Sequence, residues 1–302
     1  MKTTKLISLV LTLTLALSLL SCGVTALAED ESVTITDMTG REITLDAPAT
    51  RVVALTAADC EIVCALGGED TLVGRGEYCD WPVSILSVPS VQSGYETNVE
   101  QIIALEPQVV VMASMAQSAE QVAILEDAGI RVAVSEATSV EGVYESIRLI
   151  GALIGRDAEA EALIGQMRNT FEQVSANCAN TGKTVYFEVS PLQWGLWTAG
   201  SGTFMDELAS LCGLTNIFAD VEGWAEVSEE SVIARNPDLI VTITMYYGEG
   251  PTPTEEILSR PGWDVITAVR EGRILNADSD ELSRPGPRLM DGAWTLAEFA
   301  GQ

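Results

Sequence analysis

The sequence predicts an α/β protein in which two Rossmann-like lobes with mostly parallel sheets are joined by a single long α-helix. Three observations carry this prediction. Short apolar strands alternate with amphipathic helices, one helical stretch near the middle of the chain is long, and the segments on its two sides resemble each other. Alternating strands and helices favour a parallel sheet covered by helices on both faces. A chain of 302 residues is long enough for two such lobes, each with its own core.

The long helix is predicted over residues 157–176, where apolar residues recur at steps of three and four and so form one stripe. Asp157 is the expected N-cap. About twenty residues at roughly 1.5 Å each span about 30 Å, enough to cross one side of a two-lobed protein. The predicted division of the chain is a first lobe over 33–156, a linking helix over 157–178 and a second lobe over 179–302.

The first lobe begins with a predicted hairpin over 33–45 and continues with strands and helices in alternation. Asn98 is expected to cap a short helix, with Gln101 completing a capping box and Pro107 ending the helix. The remaining strands are predicted over 51–55, 72–74, 109–112 and 130–134, and the remaining helices over 57–66, 119–128 and 140–154.

The second lobe repeats this pattern, with a strand predicted over 183–189 and a helix over 203–211. Residues 228–241 align without gaps on residues 98–111, which indicates an internal duplication. Two equivalent open sheets that face each other leave a cleft at the carboxyl ends of their strands, where such folds bind ligands. The matched pairs are Ser228 with Asn98, Glu230 with Glu100, Ala234 with Ala104 and Pro237 with Pro107.

The N-terminus has the features of an export signal. Lys2 and Lys5 precede an apolar run that ends in the letters LLSCG, which resemble a bacterial lipobox. Residues 1–21 are therefore predicted to be a lipoprotein signal peptide, Cys22 the lipid-bearing mature N-terminus, and 22–32 an acidic tether. The alternative is a plain secretory signal cleaved after residues 25–28. In both cases the protein leaves the cytoplasm.

Composition excludes several classes of function. The chain has 16 basic and 44 acidic residues, a formal net charge of −28, which argues against binding to nucleic acid or to anionic lipid headgroups. The absence of histidine removes imidazole-based catalytic triads and the usual imidazole ligands of zinc and haem. Five cysteines besides Cys22 cannot all pair within the chain, and most are expected to be buried thiols.

Large aromatic side chains follow the predicted strands in both lobes, which suits a bulky planar or macrocyclic ligand. Polar groups, including the arginines of the letters SRPGPR, would add specificity. Two alternatives stay open: that aromatic side chains pack beneath their loops, and that the arginines pair with the acidic surface. The candidate ligand-binding residues are Tyr78, Asp80, Trp81, Tyr95, Met115, Gln117, Trp194, Trp197, Trp224, Tyr246, Arg284 and Arg288.

Lipobox, duplicated α/β lobes and a single helical connector together resemble the lipid-anchored solute-binding proteins of ABC importers. Within these, the sequence resembles the class III branch with a rigid linking helix, which serves cobalamin, ferric siderophores and haem. The resemblance covers residues 34–300. The letters YCDWP at 78–82, the letters NVE at 98–100 and Trp224 after a glycine look most like the cobalamin-binding members.

The resemblance implies a monomeric, extracytoplasmic binding protein that is not an enzyme and uses no cofactor. It would capture a corrinoid such as cobalamin and deliver it to a permease dimer with its ATPase subunits. Glu100 and Glu230 match the two glutamates that dock into the permease in this family; alternatively they only favour their own helix dipoles. A ferric siderophore or haem is the alternative ligand, and an extracytoplasmic enzyme is a remote alternative function.

Overall fold

Two parallel β-sheets, one from each half of the chain, form the frame of the computed structural model, which describes residues 32–94, 96–113, 119–178, 182–246, 248 and 250–301. The strands are β1 (Val33–Thr36), β2 (Glu42–Leu45), β3 (Val52–Ala54), β4 (Leu72–Gly76), β5 (Ser90–Val91), β6 (Val109–Met112), β7 (Arg131–Val134), β8 (Thr184–Glu188), β9 (Leu196–Ala199), β10 (Thr215–Asn216), β11 (Trp224–Val227), β12 (Leu239–Thr242) and β13 (Ile274–Asn276). The helices are α1 (Ala57–Ala65), α2 (Val99–Ala104), α3 (Ala119–Asp127), α4 (Val140–Leu153), α5 (Asp157–Asn177), α6 (Phe204–Leu211), α7 (Glu229–Arg235), α8 (Pro253–Ser259), α9 (Thr267–Arg270), α10 (Ser279–Ser283) and α11 (Leu289–Ala300).

All strand pairs within the two main sheets are parallel. The first sheet has the order β5-β4-β3-β6-β7 and the second the order β10-β8-β12-β13. The central strands β6 and β12 are buried along their whole length, as expected for strands covered by helices on both faces. Two antiparallel pairs, β1 with β2 and β9 with β11, form separate two-stranded sheets. The predicted α/β fold with mostly parallel sheets is confirmed.

The duplication extends to the hydrogen bonds around β6 and β12. Asn98 and Ser228 cap α2 and α7 in the same way, each side chain accepting from the backbone N–H three residues on. After each helix the residue before the proline, Glu106 or Asn236, is left-handed, with φ of 48° and 45°. The side chain that follows each proline then accepts hydrogen bonds from backbone N–H groups at the start of a neighbouring strand. Gln108 accepts from Thr50 and Arg51, just before β3, and Asp238 accepts from Thr184, the first residue of β8.

The predicted capping box of α2 is wrong in its second half. The Asn98 carboxamide does accept from the N–H of Gln101 at 3.0 Å. The Gln101 side chain, however, accepts from the backbone N–H of Gln92 at 3.0 Å instead of returning to the cap residue. The Gln101 side-chain oxygen, which in a capping box would accept from the backbone N–H of Asn98, is therefore occupied by the N–H of Gln92 in the loop before the helix.

Helix α5 begins at Asp157 and ends at Asn177, close to the predicted limits. It contacts α4 on one side and α6 and α11 on the other, so it packs against helices from both halves of the chain. Asp157 is not the N-cap. Gly155, with φ of 67°, turns the chain out of α4, and Arg156 becomes the cap residue without a side-chain hydrogen bond. The predicted apolar stripe is buried at Ala160, Ile164, Met167, Phe171 and Val174.

The largest buried apolar cluster includes residues from both halves of the chain, with α4, α5 and α11 among its elements. A smaller cluster lies in each half, one of them around the fully buried Trp263. Residues 33–302 form one compact unit. The division into lobes at residues 156 and 179 stays a prediction. Within the described residues, no helix combines the length and apolarity needed to cross a bilayer.

Candidate ligand-binding site

A cavity of about 1130 Å³ lies at the carboxyl ends of β8 and β12. Its walls come from the segments that follow these strands, from the start of α8 and from α10. This is the position where open α/β sheets place their ligands, and the volume is sufficient for a large organic molecule. The large apolar side chains on the wall are Trp194, Trp224, Met245 and Tyr246.

A buried ion pair lies next to this cavity, and its carboxylate residue, Glu188, is part of the cavity wall. Glu188, the last residue of β8, receives two hydrogen bonds from the Arg260 guanidinium, at 2.6 and 2.8 Å. Arg260 also donates to Glu256, and its guanidinium lies 4.4 Å from the centre of the Trp263 ring. Both side chains of the Glu188–Arg260 pair are almost wholly buried, at 2% and 1% exposure. Burial lowers the pKa of Arg260, but its two carboxylate partners outweigh this and keep the guanidinium charged.

A second polar cluster connects the two halves of the chain. Arg284 and Arg288 both bind the buried carboxylate of Glu61 on α1, at N–O distances of 2.8 to 3.0 Å. Arg284 also binds Asp80 at 2.9 Å, and both arginines contact Asp280. We call these five residues the interlobe ion cluster. The arginines thus pair with acidic residues of the chain, the alternative that the sequence left open, while their contact with a ligand stays a prediction.

The duplication places a matching contact on the other half of the chain. The sequence aligns Glu207 of α6 with Glu61 of α1 through the glycines that end the two helices. Glu207 accepts from the backbone N–H of Val140 at 2.7 Å, at the start of α4. Each of the two equivalent glutamates therefore reaches from its own half of the chain to the other half, which stabilises the arrangement of the two sheets.

Replacing Glu61 by glutamine is expected to lower the free energy of unfolding by about 2 kcal/mol, because two guanidinium groups lose part of their charge partner in a mostly buried cluster. The matched control is Glu298→Gln on the exposed face of α11, for which a change below about 0.5 kcal/mol is expected. Urea unfolding monitored by circular dichroism measures both changes. An equal effect of the two substitutions would show that the interlobe ion cluster contributes nothing specific.

A smaller cavity of about 220 Å³ lies at the carboxyl ends of the first sheet and shares Ser283 with the larger one. Its wall includes Asp59 and Ser135 from the first half and Arg284 from the second. Burial raises the pKa of Asp59 to about 6, while hydrogen bonds from Thr56 and Ser135 act in the opposite direction. The cleft therefore continues from the second sheet to the first, where it ends in a polar recess.

The predicted aromatic residues are exposed in both halves. Trp194, Trp224 and Tyr246 line the larger cavity, and the Trp224 ring packs edge-on against Phe204 with 5.7 Å between ring centres. The exposed fractions are 69% for Tyr78, 48% for Trp81, 74% for Trp194, 40% for Trp197, 39% for Trp224 and 45% for Tyr246. Three of them, Trp194, Trp224 and Tyr246, lie together on the wall of the larger cavity, and exposed apolar area grouped in this way is typical of a binding surface.

Tyr78 and Trp81 lie in the loop after β4, and Trp81 contacts Arg288 of the second half of the chain. The Arg288 guanidinium lies 5.4 Å from the centre of the Trp81 ring, so this indole is beside the interlobe ion cluster. Trp197, on β9, is exposed but does not line the larger cavity. The structure thus brings Asp80, Trp81, Arg284 and Arg288 together at one point, and Trp194, Trp224 and Tyr246 together at another.

A sequence profile of periplasmic binding proteins matches residues 52–281. The chain belongs to the periplasmic binding protein family. The ABC transporter substrate-binding lipoprotein YvrC of Bacillus subtilis, which is uncharacterized, is 33% identical over 273 residues, covering 88% of this chain and 84% of the relative. The vitamin B12-binding protein of Salmonella choleraesuis is 31% identical over 259 residues, covering 84% of this chain and 91% of the relative.

Among solved structures, the periplasmic haem-binding protein HutB of Vibrio cholerae has a TM-score of 0.76 at 22% sequence identity, over 82% of this chain and 97% of that chain. This likeness shows the shared fold alone. It confirms the class III fold that the sequence resemblance implied. The periplasmic binding protein family consists of transport proteins rather than enzymes.

In this periplasmic binding protein, Glu100 and Glu230 occupy the same position in the first turn of α2 and α7, two residues after the cap. Both are exposed, and within the described part of the chain neither forms an ion pair. The neighbouring Glu229 differs, because it accepts a hydrogen bond from the Trp263 indole at 2.8 Å. The two equivalent carboxylates are thus directed to solvent.

Four predicted site residues, Tyr95, Met115, Gln117 and Cys22, lie outside the described residues. Reading the sequence alone missed the charged groups beneath the site. Arg260, Glu256 and Asp59 carry no motif; burial next to the cavities identifies Arg260 and Asp59, and the partly exposed Glu256 is identified by its place on the wall of the larger cavity. The available signal was weak: a lone arginine before Pro261-Gly262 in a chain where acidic residues greatly outnumber basic ones.

Proposed function

We propose that this chain is the extracytoplasmic, lipid-anchored substrate-binding protein of an ABC importer and that it captures a corrinoid between its two lobes. The observation that carries the proposal is the large cavity on the second-lobe side of this cleft, with Trp194, Trp224 and Tyr246 exposed on its wall. The 31% identity to a vitamin B12-binding protein over most of both chains supports this ligand class. The lipobox at Cys22 and the likeness to a lipoprotein of Bacillus subtilis support the anchor.

Flat aromatic side chains suit a macrocycle for a physical reason. Each ring has a large apolar area and few rotatable bonds, so its burial against a planar ligand gains free energy at a small cost in entropy. Partial exposure in the free protein leaves this area to be covered by the ligand. Because α5 is continuous and packs against both halves, we expect only slight movement of the lobes on binding.

The alternative ligand, haem or a ferric siderophore, would bring carboxylates or similar anions to Arg284 and Arg288. Those guanidinium groups already bind Glu61, Asp80 and Asp280. A ligand carboxylate would have to displace these partners, whereas a corrinoid can lie against the aromatic side chains without doing so. The pairing of the arginines therefore supports the corrinoid over the alternative.

The experiment is a fluorescence titration of the full-length protein in mild detergent with cyanocobalamin, hemin and a ferric siderophore, each corrected for inner-filter absorption. We expect saturable quenching by cyanocobalamin with a dissociation constant of about 1 μM or below. Saturation with hemin or the siderophore alone would contradict the corrinoid and keep the role of binding protein. Saturation with none of the three would contradict all of these ligands.

Alanine at both Trp81 and Trp224 is expected to weaken cyanocobalamin binding by about 1000-fold, since truncation of a large aromatic anchor costs about 2 kcal/mol at each position. Equilibrium dialysis measures this without relying on tryptophan emission. Trp294→Phe is the control, because Trp294 packs against the main core on α11 and lines neither cavity. Unchanged affinity in the double variant would contradict this placement of the site.

We also propose that Glu100 and Glu230 dock onto the permease dimer. Their support is the equivalent, exposed placement on α2 and α7, which suits a partner with two-fold symmetry. The carboxylates do not contribute to the cavity wall, so docking and ligand binding use different parts of the surface.

A further inference from the structure

Two cysteine thiols that are distant in sequence meet in the first half of the chain. Cys60 lies in the first half of α1 and Cys79 in the loop after β4. Both are buried, and their sulfur atoms lie 3.5 and 3.9 Å from one acceptor, the backbone oxygen of Ala54. The two thiols share this acceptor, and the Cys79 side chain is the largest of the influences that raise the pKa of the Cys60 thiol. Both are reduced in the structure.

A third cysteine nearby is poorly placed for a bond to Cys60. Cys64 follows Cys60 by one turn of α1 and is only half-buried. Residues four apart on a helix hold their Cβ atoms about 5 to 6 Å apart. A disulfide needs a Cβ–Cβ distance of about 3.5 to 4.5 Å. The backbone of α1 therefore favours Cys79, on a separate segment, as the partner of Cys60.

We propose that Cys60 and Cys79 form a disulfide bond in the extracytoplasmic compartment and that Cys64 stays a free thiol. The bond forms by exchange with an external disulfide, which is the oxidant. One cysteine thiolate attacks that disulfide and releases one external thiol, and the second cysteine then attacks the mixed disulfide and releases the other. The two protons of the cysteines end on the two released thiols, so the external disulfide gains both electrons.

The timing of the reaction follows from burial. The interaction with the Cys79 side chain is the larger cause, and burial the second, that raises the pKa of the Cys60 thiol well above its ordinary value. Because the thiolate is the reactive species, exchange is slow once the loop has docked on α1. The bond therefore forms during folding, before docking, and is afterwards protected from external reductants.

The proposed bond would link two parts of the site. Cys79 lies between Tyr78 and Asp80 in the loop of exposed aromatic side chains, and Cys60 is followed by Glu61 of the interlobe ion cluster. A covalent link between Cys60 and Cys79 would fix the loop after β4 on α1. The Glu61 carboxylate of that helix forms the ion pairs with the second half of the chain. The proposal rests on the proposed extracytoplasmic location but needs no assumption about the ligand.

The test is a peptide map of the full-length protein after refolding from denaturant with oxidised and reduced glutathione, followed by alkylation. Cleavage after Glu61 and Glu77 places Cys60, Cys64 and Cys79 in three different peptides. We expect a cross-linked Cys60–Cys79 peptide and an alkylated Cys64. Unfolding in the presence of a reductant should then occur about 5 to 10 °C lower than in its absence.

Cys64→Ser is the matched control, which should keep the cross-link and the dependence of the melting temperature on reductant. The double variant Cys60→Ser, Cys79→Ser should lose that dependence. Alkylation of all three thiols in the refolded wild-type protein, or a cross-link that includes Cys64, would overturn the proposal. The wild-type map decides the question even if the double variant does not fold, and it is independent of any titration with cyanocobalamin.

Discussion

Replacing Arg260 by methionine is expected to lower the free energy of unfolding by about 3 to 5 kcal/mol, because the substitution leaves the Glu188 carboxylate buried without its charged partner. Both side chains of this pair are almost wholly buried. Desolvation already raises the pKa of Glu188, and Arg260 is the group that opposes this rise. Without the guanidinium, the protein must either bury a charge or protonate it. Urea unfolding at several pH values measures the loss.

The pH dependence follows from the direction of the pKa. In the variant, the folded-state pKa of Glu188 should be raised further above the unfolded value of 4.5. A carboxyl group with a raised folded pKa destabilises the protein above that pKa and ceases to do so as it becomes protonated. The loss in free energy of unfolding of the Arg260→Met variant, relative to the wild-type protein, should therefore be largest at neutral pH and become smaller toward pH 4.5.

Arg235→Met is the matched control. Arg235 likewise pairs with a carboxylate, Asp220 at 2.6 Å, and lies over an aromatic ring, 4.5 Å from the centre of Phe218, whereas Arg260 has two carboxylate partners. The difference is exposure, since this pair is open to solvent, and its loss should cost less than about 1 kcal/mol. Equal losses in the two variants, or a deficit at Arg260 that does not change with pH, would contradict the account of a buried ion pair.

The long-range polar contacts explain which parts of the site could be predicted from the sequence. Strands and helices depend on local periodicity, and α5, β6 and β8 were accordingly predicted close to their observed limits. Arg260 and Glu188 are separated by 72 positions, and Arg284 and Glu61 by 223. No local pattern specifies such partners, so the sequence could only leave the role of Arg284 open. Tyr78, Trp81, Trp194 and Tyr246 were predictable because they follow parallel strands. The prediction that Trp197 and Trp224 also follow strands is wrong, since both lie on the antiparallel pair of β9 and β11.

The two errors at helix ends have the same origin. Which residue caps a helix depends on the hydrogen-bond donors and acceptors that lie near the helix end in three dimensions. The sequence does not show which groups these are. The Gln101 side chain binds Gln92 because the loop before α2 folds back over it. Arg156 takes the cap position of α5 because the tight turn at Gly155 fixes where helical geometry can begin. The helices themselves were correctly predicted, since their apolar faces determine them.

Charge reversal at both proposed docking positions, Glu100→Arg with Glu230→Arg, is expected to reduce cyanocobalamin uptake about 100-fold while leaving ligand binding unchanged. The family resemblance implies arginine pockets on the permease opposite these carboxylates. A cation in place of each carboxylate would remove an attraction and add a repulsion, at a cost of several kcal/mol. Uptake of radiolabelled cyanocobalamin is measured in cells that carry only the variant gene. Equilibrium dialysis of the purified protein measures binding separately.

The control is Glu120→Arg with Glu172→Arg, which changes the net charge equally at exposed positions on α3 and α5. It separates docking from a general effect of charge, and normal uptake is expected. If Glu100 and Glu230 only favoured their helix dipoles, their reversal would lower stability by about 0.3 to 1 kcal/mol each and leave uptake normal. Normal uptake by the Glu100→Arg, Glu230→Arg variant would therefore remove both residues from the docking role. Lost uptake with intact ligand binding would instead place the permease contact on α2 and α7, whose capped first turns present the two carboxylates at equivalent positions.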